Sequence, residues 1–152
     1  VRGRRQRAWL RAGALCAAAV GLDQLAKGLV EERIAIGEEI DALGPLHLTL
    51  SHNSGVAFGL AGGGGAILVA ITLAALAVVA VLFARDPTRP GMWVAFGLIA
   101  GGAIGNLADR IRLGAVTDFV DLPHWPNFNL ADISITVGVL VLALIYLRDA
   151  EE

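Results

Sequence analysis

The residues with the most chemistry in them fall between positions 101 and 132, which read GGAIGNLADRIRLGAVTDFVDLPHWPNFNLAD. Four aspartates (Asp109, Asp118, Asp121, Asp132), two arginines and three asparagines stand here between two apolar runs. Polar groups this dense beside membrane-like segments mark a functional site by default, because ionisable groups are costly there and seldom idle. Two carboxylates brought close cannot both ionise easily, so they share a proton and their pKa values separate. One can then draw a proton from water while the other protonates the carbonyl oxygen of an amide. Such a pair needs no metal and no cofactor. The same residues would also serve a small proton-coupled transporter or channel, with Asp23, Lys27 and Asp109 as its relay, and spacing alone leaves both readings open. Each carboxylate also has a plainer role available. Asp109 could pair with Arg110, and Asp132 could cap a helix in competition with Asn129. Asp118, between Val116-Thr117 and Phe119-Val120, has an apolar setting that would raise its pKa.

Other chemistries find little support. The three histidines, His47, His52 and His124, come without a GxSxG elbow, and no HExxH-type ligand set is present. The one cysteine, Cys16, rules out an intrachain disulfide framework or a CxxC pair.

The elements that must position these groups are read from hydropathy. Of 152 residues, 56% are hydrophobic and only 17% charged, against roughly 25% charged in ordinary globular chains. Mean hydropathy is +0.67. The expected fold is mainly α: a polytopic membrane protein, a four-helix transmembrane bundle with a small extracytoplasmic β-sheet. Spans are expected at about 11–30, 61–84, 91–108 and 129–147, each long enough to cross. The polar segments 31–60 and 109–128 join them, making one membrane-embedded domain over 1–152. The arginine-rich start, followed by an apolar run, is read as a retained first helix rather than a cleaved signal. Gly97, Gly101 and Gly105 form overlapping GxxxG steps that let a neighbouring helix approach. Leu46, Leu48 and Leu50 alternate with polar residues as in a half-buried strand, with Ile34 and Ile36 as candidates for its hairpin partner. Gly62–Gly65 reads as a hinge.

Eight basic residues fall on one side of these spans and four on the other, which places both termini in the cytoplasm. Asp23, Lys27, Asn106, Asp109, Asp118 and Asp132 then converge on the outer side, near the surface.

Five ordered motifs carry a resemblance: Asp23-Gln24-Leu25-Ala26-Lys27, Asn53-Ser54-Gly55-Val56-Ala57-Phe58, Gly105-Asn106-Leu107-Ala108-Asp109-Arg110, Val116-Thr117-Asp118-Phe119 and Phe128-Asn129-Leu130-Ala131-Asp132. In this order, over nearly the whole chain, they resemble the bacterial lipoprotein signal peptidase (signal peptidase II) family. The resemblance implies an aspartic endopeptidase of the bacterial cell membrane that cuts signal peptides from diacylglyceryl-modified prolipoproteins, before the lipidated cysteine. It implies Asp118 and Asp132 as the catalytic pair, and Asp23, Lys27, Asn53, Gly55, Asn106, Asp109, Arg110 and Asn129 as the polar shell around them. It also implies a sheet cradle and mobile flap in the first polar segment. The expected partners are the prolipoprotein and membrane lipids, with no cofactor, no nucleic acid and a monomeric state.

Overall fold

A computed structural model of the chain describes residues 2–55 and 64–150. Four helices carry the bulk of them: α1 (Arg2–Arg33), α2 (Gly64–Arg85), α3 (Met92–Leu113) and α4 (Leu130–Ala150). All four are long and apolar enough to cross a membrane. Between them run β1 (Glu39–Leu43), β2 (Leu46–Asn53), β3 (Val116–Leu122) and β4 (Trp125–Phe128). These form one antiparallel sheet in the order β1-β2-β3-β4.

Helix α3 is the centre of the bundle, packed by α1, α2 and α4. Small residues on two of its faces make this possible. A Cβ on Gly97 or Gly101 would lie 3.0 Å from Leu15 Cβ and 2.6 Å from Ala19 Cβ on α1. A Cβ on Gly102 would overlap the Ala131 carbonyl of α4, and one on Gly138 would reach the Ile99 backbone. The GxxxG face is therefore closed by α1, and a second small-residue contact seats α4. Leu22, Leu25, Leu29, Val137, Val139 and Leu140 point outward and stay exposed, as helices solvated by lipid rather than water require.

The sheet sits on one end of the bundle through an apolar cluster of Val30, Ile34, Leu50, Phe119 and Val120. Thus the alternating leucines do form a strand, but its hairpin partner is Glu39–Leu43, in register Glu39 with Thr49 and Ile40 with Leu48. Ile34 is instead buried in the helix–sheet junction, while Ile36 is 74% exposed. The difference follows from α1 continuing to Arg33: at residue 34 the chain is still leaving the helix. Helix α3 likewise runs past the expected end at 108. It stops at Gly114, whose φ of 72° and N–H bond to the Arg110 carbonyl make a left-handed cap. Of the expected glycine hinge, Gly62 and Gly63 lie outside the described residues.

Candidate active site

Two features of α4's first turn build the centre of the site. Asn129 precedes the helix and Asp132 is its third residue. The Asp132 N–H donates to Asn129 Oδ1 at 3.0 Å, and the Asn129 N–H donates to Asp132 Oδ2 at 3.2 Å. This reciprocal arrangement is a capping box. The two cap candidates do not compete; they cap together. A third donor of that turn, the Ala131 N–H, is met at 2.9 Å by Asp23 Oδ1 from α1.

Asp118 arrives from β3 rather than from a loop. It faces Ser51 across the β2–β3 pairing, and its side chain is only 2% exposed. The Asn129 amide donates to its Oδ1 at 2.7 Å and to the Thr117 carbonyl at 3.3 Å. Asp132 Oδ1 accepts the Asn106 amide at 2.8 Å. Asn129 and Asn106 are themselves linked, the former donating to Asn106 Oδ1 at 3.1 Å. So the two carboxylates hang on two asparagines that bond each other.

Burial pushes the Asp118 carboxyl up to about 6, with the Asp132 charge as the next cause. Hydrogen bonds from Asn129 and Asn53, and the Lys27 charge, pull it partly back. A carboxyl in this range can hold or release a proton near neutrality, as acid–base work requires.

Beneath the pair lies a fully buried cation. Lys27 Nζ is 2.8 Å from Asp23 Oδ2, 2.7 Å from Asp109 Oδ2 and 3.0 Å from Asn106 Oδ1. Its three donors are all used. Asp109 therefore pairs with Lys27, while Arg110 next to it reaches the Asn106 carbonyl at 3.5 Å. Asp23 and Lys27, at i,i+4 on the interior face of α1, pair as that spacing allows. Gly105 lets this happen: a Cβ there would stand 2.7 Å from Asp23 Oδ2. Asn53 closes the β2 end, its side chain accepting the Gly55 N–H at 3.0 Å. Gly55 is buried at φ 73°, with the Leu68 side chain overlapping the place of a Cβ.

Several participants escaped the sequence reading. Gln24 donates to Asp109 Oδ1 at 2.9 Å and lies within 3.3 Å of Asp23 Oδ2 and the Gly105 carbonyl. An amide inside an apolar span was the available signal. Thr117 offers its N–H to Asp109 at 3.2 Å and its hydroxyl to Glu31 at 2.8 Å. Glu31 also receives Arg112, so it is tied to the site's rim. Asp121 is half-buried on β3, opposite His47.

The relay imagined for a transporter is not open. Asp23, Lys27 and Asp109 are each without solvent exposure and mutually saturated. What opens to the outside is an apolar groove of about 330 Å³ reaching Asp132, walled by Trp125, Phe128, Ile133, Thr136 and Val137. A second groove, of about 270 Å³ between α1 and α4, shares Ile133 and Val137 with it.

Known proteins share this fold. A bacterial membrane enzyme solved by the in meso method at 1.9 Å superposes with a TM-score of 0.85 at 30% identity, over 91% of this chain and 93% of that one. The lipoprotein signal peptidase of Moorella thermoacetica is 40% identical over 135 residues, 88% of this chain and 90% of the relative. That of Symbiobacterium thermophilum is 45% identical over 139 residues, 86% and 90% respectively. Residues 15–148 match the family described as Signal peptidase (SPase) II. With the five motifs, the four membrane-length helices and the surface sheet all in place, the chain belongs to the signal peptidase II family, the lipoprotein signal peptidases.

Proposed function

We propose that the protein is an aspartic endopeptidase that removes the signal peptide of diacylglyceryl-modified prolipoproteins, cutting before the lipidated cysteine. The observation that carries this reading is the suspension of Asp118 and Asp132 from one asparagine pair, with Asp118 pushed up to about 6. When the pair carries one proton, Asp118 is the group that holds it, because burial disfavours its charge.

The chemistry follows from that placement. Asp132 takes a proton from water as the water oxygen attacks the scissile carbonyl carbon. Asp118 gives its proton to the carbonyl oxygen, producing a neutral tetrahedral diol. Asp132 then returns its proton to the amide nitrogen, the C–N bond breaks, and Asp118 recovers a proton from the diol hydroxyl. Asn106, Asn129 and the Lys27 cluster hold both carboxylates in register, so little reorganisation accompanies the step. Arg110, Asn53 and Gly55 shape the rim.

The grooves on the α4 face suit an apolar signal segment entering laterally. Asp132 is three residues into α4, only about 5 Å from its end, the depth at which a lipidated cysteine would hold the scissile bond. Eight of twelve basic residues at the opposite end support cytoplasmic termini and an outward-facing site, in a bacterial cell membrane, with one chain sufficient for activity.

The test uses purified protein with a synthetic prolipoprotein peptide, with and without the diacylglyceryl group and in excess chelator. Signal-peptide release from the lipidated peptide alone is expected. Loss of activity on chelation, or equal cleavage of the unlipidated peptide, would refute this reading.

A further inference from the structure

At the end of the bundle away from the aspartates, Arg4, Arg7, Arg11 and Arg89 line a cavity of about 390 Å³ together with Trp93 and Pro87. Catalysis has no use for it. We propose that this cavity is a binding site for the phosphate of an anionic phospholipid headgroup in the leaflet on that side.

Four features point there. Arg4, Arg7 and Arg11 are spaced i, i+3 and i+7, which puts three guanidinium groups on one face of α1. Like charges at this spacing repel, and no carboxylate is among the described residues lining the cavity. Second, the wall is built. Arg5 donates to the Ala84 carbonyl at 2.9 Å, tying α1 to the end of α2. Ala8 and Pro87 are buried beneath, and Arg11 lies 5.9 Å over the Trp93 ring. Arg89, already bonded to the Ile145 carbonyl and stacked 4.5 Å over Tyr146, enters from the α2–α3 connection. Third, guanidinium forks match phosphate oxygens in pairs, which makes arginine rather than lysine the residue for such an anion.

Fourth, the depth is that of headgroups. Trp9, Trp93 and Tyr146 gather at this end, as aromatic residues do at a membrane–water boundary. Trp93, in the cavity wall beneath Arg11, offers the apolar surface along which an acyl chain would lie. A free phosphate would use the arginines but not this surface; a phospholipid uses both.

The full chain in phosphatidylcholine nanodiscs would be titrated with short-chain phosphatidylglycerol, following lipid retention by native mass spectrometry and the rise in Tm. Replacing Arg4 and Arg7 together by Gln is expected to raise the half-saturating lipid concentration by at least about tenfold, and Arg7→Gln alone by about fivefold. Arg2→Gln makes the same charge change outside the cavity and is expected to shift it by less than about twofold. An equal loss for Arg2→Gln would overturn the site in favour of diffuse attraction. Competition by inorganic phosphate at the lipid's own concentration would reassign the cavity to soluble anions. Equal retention of phosphatidylcholine would leave the arginines without a role.

Discussion

Asn129 and Asp132 cap each other's backbone N–H groups, at 3.0 and 3.2 Å. The same asparagine side chain reaches Asp118 on a neighbouring strand at 2.7 Å. The start of a membrane helix is thereby also the hinge of the carboxylate pair. Stability of α4's first turn and alignment of the two aspartates are one structural property.

If both carboxylates act on the proton inventory, neither tolerates an amide. Asp118→Asn and Asp132→Asn should each lower cleavage by at least about a thousandfold. Both proteins should still insert, because Asn keeps an acceptor oxygen for the Asn129 and Asn106 donors. Turnover within tenfold (about 1.4 kcal/mol) of wild type in either variant would remove that residue from the chemistry.

The raised Asp118 carboxyl carries a signed consequence for stability. Its folded pKa of about 6 exceeds its ordinary 3.8, so the folded state binds this proton more tightly than the unfolded state. The stabilisation is complete below 3.8 and lost as pH rises through about 6. Asp118→Asn should therefore exceed wild type in Tm at pH 8 by about 3 °C or more, with the gap closing at pH 4. A gap that does not change with pH would contradict this. Cleavage should fall on the alkaline side as the shared proton leaves.

Lys27 holds two carboxylates that have no water to turn to. Lys27→Met should destabilise by about 3–5 kcal/mol, because Asp23 would remain an unpaired buried charge and Asp109 would keep only the longer contact with Arg112, at 3.8 Å. The triple replacement Asp23→Leu, Lys27→Met, Asp109→Leu should recover part of the lost stability but not the activity, since the Ala131 and Thr117 N–H groups lose their acceptors. Chemical denaturation in detergent would read the first effect and cleavage the second. A Lys27→Met protein as stable as wild type would argue against the buried pairing.

Gly105→Ala tests the close approach of α1 to α3. The added methyl would stand 2.7 Å from Asp23 Oδ2, forcing Asp23 from the Ala131 N–H that it caps. We expect a loss of about 1–3 kcal/mol and a fall in kcat larger than any change in KM, since the disturbance reaches Asp132 through the helix start. Gly37→Ala, on an exposed turn with open space around its Cβ position, carries a strained φ but lies outside the bundle. It should leave kcat within about twofold.

Much was legible in the chain itself. Long apolar runs must become helices in a membrane because no other single segment satisfies its own backbone there. Their number, the GxxxG face and the Leu46–Leu50 strand could therefore be read directly. The five motifs pointed to the family, and the nearest polar groups to the centre were named from them. Pairings across long sequence separations were not legible, since hydropathy says which residues leave water but not which partner each meets. Thus Asp109 bonds Lys27, 82 positions away, instead of Arg110 beside it. β1 begins only at Glu39 because α1 runs to Arg33 and residues 34–38 turn out of it, and Gln24, Thr117 and Glu31 became participants only when α1, α3 and β3 met. Only the tertiary fold decided that one asparagine would serve both aspartates, because that bond depends on a strand end and a helix start arriving at the same point.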